Sequence, residues 1–147
     1  MQNYEAKKPS YFATPPTQLI TALHTSLTQI LSKPLDDRFA AHRAVSQRVK
    51  KAVTELGLKQ LAAKPEAQAN SMTAMYLPDE LKPTDVLPKL LGRGVIFAAG
   101  LHKEIATKYI RFGHMGVTVT DPSRGDVDKA LTALKEGLVE VGYRFPS

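Results

Sequence analysis

Hydrophobic side chains recur at helical spacing along most of the first sixty residues. In residues 14–31 the apolar positions form one stripe, and Thr14 stands at the start as a helix cap. A second segment with the same period begins at Asp36 or Asp37 and is ended by Gly57. The pattern therefore predicts two amphipathic helices in succession, each with one face for packing.

The second half of the chain has two further helical patterns. Residues 83–91 predict a short helix, in which Asp85 would cap and Pro88 would lie in the first turn, where no amide partner is lost. The last helix follows Ser123 and Asp126, which have the spacing of an S-x-x-D capping box, and continues with an apolar face.

Between these helices, runs rich in apolar residues predict strands. Residues 71–77 and 95–99 form two candidates, residues 108–114 form a third, and residues 58–61 predict a short fourth strand. The link between the second and third candidates is short, which favours antiparallel pairing. The order of elements predicts an α+β fold, with a small mixed or antiparallel sheet covered by helices.

Length and composition fit one folded domain. The chain has 147 residues, of which 43% are hydrophobic. We expect residues 1–13 to be a polar lead-in and residues 14–147 to form a single domain. The chain contains no cysteine, which excludes disulfides, thiolate nucleophiles and cysteine-based metal sites. The four histidines have no metal-ligand spacing, so no metal site is expected.

The net charge of +6 raises nucleic acid as a partner. The basic residues are spread along the chain, however, and no nucleic-acid-binding motif accompanies them. A solvated basic surface explains the charge, so no nucleic-acid partner is expected. Neither a secretory signal nor a membrane span is visible in the sequence. The expected location is intracellular, with no membrane partner.

One charged residue interrupts the strand candidate KYIRFGHMG, residues 108–116. Alternation divides its side chains between two faces, Ile110, Phe112 and His114 on one and Tyr109, Arg111 and Gly113 on the other. Arg111 beside a glycine leaves space for a small carboxylate, whose shape suits the planar guanidinium. The alternative is a solvent-facing arginine that packs only through its aliphatic stem.

Two segments, YFATPPTQLITALHTSL (residues 11–27) and YIRFGHMG (residues 109–116), resemble the C-terminal part of the class V, fold-type I aminotransferases that use pyridoxal phosphate. The alanine–glyoxylate aminotransferases are the most similar subgroup. The resemblance implies the C-terminal fold of that family, with Arg111 binding the substrate α-carboxylate. It also implies that Tyr11 and Thr14 contact the cofactor phosphate of the partner subunit. Without it, Thr14 would be only a cap and Tyr11 a packed aromatic residue.

The same resemblance implies that other parts of the catalytic centre lie outside the matched segment. In that family the Schiff-base lysine belongs to the large domain, and no lysine here has the matching context, so no catalytic residue is assigned. The chain is expected to be inactive alone. Its implied partners are the large catalytic domain, the second subunit of a homodimer, and amino acid and 2-oxo acid substrates.

Three readings remain open from the sequence. The first is the C-terminal domain of an alanine or serine–glyoxylate-type aminotransferase. The second is a stand-alone, non-catalytic module for oligomerisation or ligand binding, and the third is a basic nucleic-acid-binding domain. The sequence leaves open the amino donor, the compartment (cytosol, mitochondrion or peroxisome) and whether the chain is a natural product or a fragment.

Overall fold

A computed structural model describes residues 2–11 and 13–146. The chain divides into two compact units, one up to residue 35 and one from residue 36 onward. The sequence-based boundary between residues 13 and 14 remains a prediction. Each unit is described by itself below.

The first unit contains two helices, α1 (Gln2–Glu5) and α2 (Thr17–Leu31). The sequence did not predict α1. The prediction that Thr14 caps the next helix is wrong, because α2 begins only after Pro16 and has no side-chain cap. A residue that precedes a proline avoids the helical region, so the consecutive prolines at 15 and 16 delay the helix. No residue of α2 is buried.

The second unit contains a sheet and the remaining helices. In chain order its elements are α3 (Leu35–Glu55, whose first residue belongs to the first unit), β1 (Met72–Tyr76), α4 (Pro83–Gly92), β2 (Ala98–Ala99), β3 (Tyr109–Gly113), α5 (Val117–Thr120) and α6 (Asp126–Glu140). The three strands form an antiparallel sheet in the order β1-β3-β2. The α+β class and the antiparallel pairing of the last two strands are confirmed.

Two predicted strands are shorter than their apolar runs. Residues 58–61 contribute only one bridge, from Gln60 to Met75, and residues 95–99 reduce to β2. The reason is the same in both cases. The amide of Leu58 donates to Val53 and the amide of Val95 donates to Leu90, so each closes the end of the preceding helix.

Two predicted helix starts are corrected by the structure. Gly125, at φ +64°, precedes α6, whereas Ser123 lies in a short 3₁₀ turn and donates to Asp121. The S-x-x-D capping box is therefore wrong.

In α4 the cap is Lys82, whose amide donates to the Asp85 carboxylate at 2.8 Å. Asp85 is the third helical residue instead of the cap. Pro88 consequently lies in the helix interior and not in the first turn.

The core of the second unit is formed where α3, α4 and α6 cover one face of the sheet. Its fully buried hydrophobic residues are Val49, Val53, Met75, Val86, Leu90, Ile110, Leu134 and Leu138. The middle of β3 contributes Ile110 and Phe112 to this core, and Phe112 stacks on Phe97 with ring centroids 4.5 Å apart. These contacts fix the strand that carries Arg111.

Candidate functional site

Arg111 lies at the centre of the sheet and on the face opposite to the core. Its register neighbours are Ala74 on β1 and Ala98 on β2. Residues directly opposite in antiparallel strands point to the same face, so two small side chains flank the arginine. Arg111 is half-buried. The small neighbours leave the guanidinium accessible above the sheet.

The guanidinium is oriented by one backbone contact. Arg111 Nε donates to the carbonyl oxygen of Ala99 at 2.8 Å. Within the described part of the chain, no ion pair joins Arg111 to a carboxylate. The hydrogen bond at Nε holds the plane of the group, while the two terminal nitrogens remain able to bind a carboxylate bidentately.

Open space also borders the neighbouring glycine. Gly113 is exposed, and a Cβ atom placed on it would meet only Met115 Cε at 3.6 Å. A cleft of about 230 Å³ adjoins Gly113 and is also lined by Ile96, Phe112 and Lys129. Arg111 is not part of that lining, so the cleft and the guanidinium are neighbouring features and not one pocket.

The structure brings Tyr11 and Thr14 together. The Tyr11 hydroxyl and Thr14 Oγ1 lie 2.7 Å apart and share a hydrogen bond. Tyr11 is 83% exposed, so it is not the packed aromatic residue of the alternative reading. Both residues belong to the first unit, whereas Arg111 belongs to the second.

Tyr109 is a contributor that sequence reasoning did not single out. Its side chain shares the Arg111 face, and its hydroxyl oxygen accepts the amides of Leu101 at 2.8 Å and His102 at 3.1 Å. These two hydrogen bonds, His102 first, lower the pKa of Tyr109, and the positive charge of Arg111 acts in the same direction while burial opposes it. Strand alternation indicated the shared face, but no local signal indicated these bonds.

His114 is buried at the end of the Arg111 strand. Its Nε2 lies 2.8 Å from Thr73 Oγ1, and its Nδ1 has no partner among the described residues. Burial is the main reason that the pKa of His114 is lowered; a backbone hydrogen bond acts in the opposite direction, and electrostatic interaction with Lys50 and His42 adds to the lowering. His114 is therefore a neutral core residue and not an acid–base group on the open face.

Two relatives of the chain are glyoxylate aminotransferases. Alanine–glyoxylate aminotransferase 1 of Saccharomyces cerevisiae is 46% identical over 120 residues, which are 80% of this chain and 30% of the yeast protein. Serine–glyoxylate aminotransferase of Hyphomicrobium methylovorum is 32% identical over 129 residues, which are 87% of this chain and 32% of that protein.

A solved structure agrees with these relatives. Pyridoxamine-pyruvate aminotransferase from Mesorhizobium loti superposes with a TM-score of 0.82 at 29% identity, over 94% of this chain and 34% of that one. The chain corresponds to the C-terminal part of a class V aminotransferase. No family model matches it. This class V segment spans about a third of the length of the relatives it matches.

Two kinds of feature are absent from the described part of the class V segment. Within residues 2–11 and 13–146, no group of three or more histidine, aspartate or glutamate side chains could hold a metal ion. None of the helices that the structure describes is long and apolar enough to cross a membrane.

Proposed function

We propose that this chain is the C-terminal domain of a pyridoxal-phosphate-dependent, alanine or serine–glyoxylate-type aminotransferase, in which Arg111 binds the α-carboxylate of the substrates. The observation that carries the proposal is the position of Arg111. It stands on an open sheet face between two alanines, with its Nε held by a backbone carbonyl and no carboxylate of the described chain paired with it.

The reaction class explains why an arginine is needed at this point. An amino acid and a 2-oxo acid share the same carboxylate, so one site can hold both the donor and the acceptor. A planar pair of N–H donors fixes that carboxylate in one orientation, whereas a lysine would supply a single charge. The fixed orientation places the substrate Cα–H for proton removal.

The hydroxyls of Tyr11 and Thr14 fit a phosphate group. They lie 2.7 Å apart on an exposed turn, and their mutual hydrogen bond uses one hydroxyl hydrogen and leaves the other for an external acceptor. We propose that this pair contacts the phosphate of pyridoxal phosphate bound by the partner subunit. When bound, the cofactor supplies the electron-accepting ring on which transamination depends.

The first unit also presents an apolar surface that suits a partner. Five large hydrophobic residues of α2 are between 46% and 70% exposed, namely Leu19, Ile20, Leu23, Leu27 and Leu31. About two thirds of each relative's length lies outside the segment that matches this chain. We propose that the large domain and the second subunit of a homodimer cover this stripe.

A chimera tests the proposal. The matching segment of the yeast alanine–glyoxylate aminotransferase is replaced by this chain, and transamination of alanine and glyoxylate is measured. The chimera should be active. Arg111→Lys should raise the KM of both substrates by about ten- to a hundredfold, because a charge-assisted hydrogen bond contributes roughly 1.5–3 kcal/mol. Tyr11→Phe or Thr14→Ala should weaken cofactor binding and leave substrate discrimination nearly intact.

Arg43→Lys is the matched control. Arg43 is an exposed arginine of α3, so the same change there should leave the KM of both substrates nearly unchanged. The carboxylate assignment is contradicted if Arg111→Lys leaves both KM values unchanged in an active chimera. An inactive chimera, measured beside an active yeast enzyme, would contradict the proposal that this chain is a domain of such an enzyme.

A further inference from the structure

Backbone pairing joins residues 98–100 to the arginine strand, and beyond Gly100 the side chain of Tyr109 continues the attachment. We propose that Tyr109 is a positioning residue for Arg111, because its hydroxyl holds residues 99–102 so that the Ala99 carbonyl orients the guanidinium. This inference rests on the proposed function of Arg111 as the carboxylate-binding residue.

The phenol oxygen accepts two consecutive backbone amides. Leu101 donates at 2.8 Å and His102 at 3.1 Å, and the Tyr109 side chain is only 4% exposed. The acceptor is buried while both donors belong to exposed residues, and this double contact restricts the backbone of Leu101 and His102. The lowered pKa of Tyr109 agrees with an oxygen that receives two N–H groups beside a positive charge.

The residue before Leu101 is pressed against the same ring. A Cβ atom on Gly100 would lie 2.5 Å from Tyr109 Cε1 and 2.6 Å from the carbonyl oxygen of Ala106. Contacts that short do not occur, so only glycine allows this approach. The amide of Gly100 also donates to the backbone carbonyl of Tyr109 at 3.1 Å. Ring, hydroxyl and backbone of Tyr109 therefore all hold this segment.

Ala99 connects this segment to the arginine. It immediately precedes Gly100, and its carbonyl oxygen accepts Arg111 Nε at 2.8 Å. Tyr109 and Arg111 are two positions apart on β3, so their side chains leave the same face about 6.5–7 Å apart. The pairing of Ala99 with Ile110 holds one end of this closed arrangement and the Tyr109 hydroxyl holds the other, so both constrain where the acceptor for Nε lies.

The chain offers a matched comparison on the neighbouring strand. Tyr76 is the register partner of Tyr109, and the two rings meet edge to face with centroids 6.5 Å apart. For the Tyr76 hydroxyl, the structure shows no hydrogen bond with any residue it describes. Tyr76→Phe removes the same atom from the same face without touching residues 99–102.

Hydrogen exchange of the 147-residue chain, followed by NMR, tests the inference without substrate. In Tyr109→Phe the amides of Leu101 and His102 and the Nε–H of Arg111 should all exchange about tenfold faster, which corresponds to one lost hydrogen bond. In Tyr76→Phe these rates should stay near those of the unsubstituted chain. The inference is overturned if the two amides exchange faster while Arg111 Nε–H is unchanged.

A second measurement uses the unsubstituted chain, in case Tyr109→Phe does not fold. Arg111 Nε–H and the Leu101 amide should show the same protection as urea is increased, because they open together. An Arg111 Nε–H that exchanges like an unstructured side chain, beside a protected Leu101 amide, would overturn the inference.

The kinetic consequence separates this inference from the proposed function. In the active chimera, Tyr109→Phe should raise the KM of both substrates about three- to tenfold with cofactor affinity unchanged, since a less ordered guanidinium binds the carboxylate less well. If Tyr109→Phe speeds exchange at Arg111 Nε–H without changing the KM of either substrate, and Arg111→Lys also leaves both KM values unchanged, the proposed function is contradicted. The positioning contact itself is then still supported by the exchange data. Unchanged KM for Tyr109→Phe, with a damaging Arg111→Lys, would overturn the positioning role alone.

Discussion

At the scale of single residues, the environment of a side chain decides whether it can carry a charge. Arg111 and His114 are three positions apart in sequence, and their surroundings are opposite. Arg111 lies on the open face with a carbonyl at its Nε, whereas His114 is fully buried and paired with Thr73. Burial of His114 disfavours its charged form and lowers its pKa.

Because of this burial, stability should decrease in mild acid. The pKa of His114 in the folded chain lies below its ordinary value of 6.5, so the unfolded chain binds the proton first as the pH falls. The stabilisation is complete above about pH 6.5 and is lost as the pH falls from there toward the lower folded pKa. Electrostatic interaction of His114 with Lys50 and His42 acts in the same direction.

Urea unfolding at about pH 7.5 and about pH 5 measures this loss. His114→Gln keeps a polar partner for Thr73 but removes the titrating group. The free energy of unfolding of this variant should therefore fall less between the two pH values than that of the unsubstituted chain. His24→Gln, at an exposed position of α2, should keep the slope of the unsubstituted chain. Equal slopes for the two variants would contradict the assignment.

At the scale of elements, α4 and α6 pack closely because one of them carries a glycine. A Cβ atom on Gly137 would lie 2.8 Å from Leu90 Cδ2 and 3.6 Å from Lys89 Cβ. Three ion pairs at this contact also join the two helices, Lys89–Glu140 at 2.8 Å, Arg93–Glu140 at 2.7 Å and Arg93–Glu136 at 3.1 Å. The glycine allows the two helices to lie close together, and the three ion pairs join them at the same contact.

A branched side chain at this contact should force the helices apart. Gly137→Val should lower the free energy of unfolding by about 1–3 kcal/mol, the usual cost of overpacking, although valine favours a helix slightly more than glycine does. Gly92→Val is the control, because a Cβ atom there meets no atom within 4 Å. Chemical denaturation compares the two, and an equal change in both would rule out close packing as the reason for Gly137.

At the scale of the whole molecule, two surfaces of the chain stand out, one on α2 and one on the sheet face that carries Arg111. Helix α2 has no buried residue, and the register partners of Arg111 on both neighbouring strands are alanines. The relatives are about three times as long as the segment that this chain matches. Under the proposed function, such a segment is expected to supply the carboxylate-binding arginine and not the remainder of the catalytic centre.

The isolated chain should therefore be unable to transaminate. With pyridoxal phosphate, alanine and glyoxylate added, pyruvate should form no faster than in a mixture without the chain, because the family resemblance implies that the Schiff-base lysine lies outside these 147 residues. The yeast aminotransferase serves as the positive control. Turnover that depends on the chain and is lost on changing one of its lysines would overturn this expectation.

Much of the fold followed from local patterns. The helices α2, α3, α4 and α6 and the strands β1 and β3 lie where the apolar periods predicted them. The alternation of β3 placed Arg111 opposite to the buried Ile110 and Phe112, as the structure has it. Period and alternation are visible in sequence because each face of an element must meet either the core or the solvent.

Tertiary structure alone decided the ends of the elements and the partners of the polar groups. Val95 closes α4 instead of extending β2, Gly125 instead of Ser123 precedes α6, and the Tyr109 hydroxyl accepts two amides that come seven and eight positions before it. A donor can satisfy any of several acceptors that compete for it, and only the folded chain determines which is within reach. The sequence by itself thus determined which face Arg111 occupies, whereas the fold determined what holds it there.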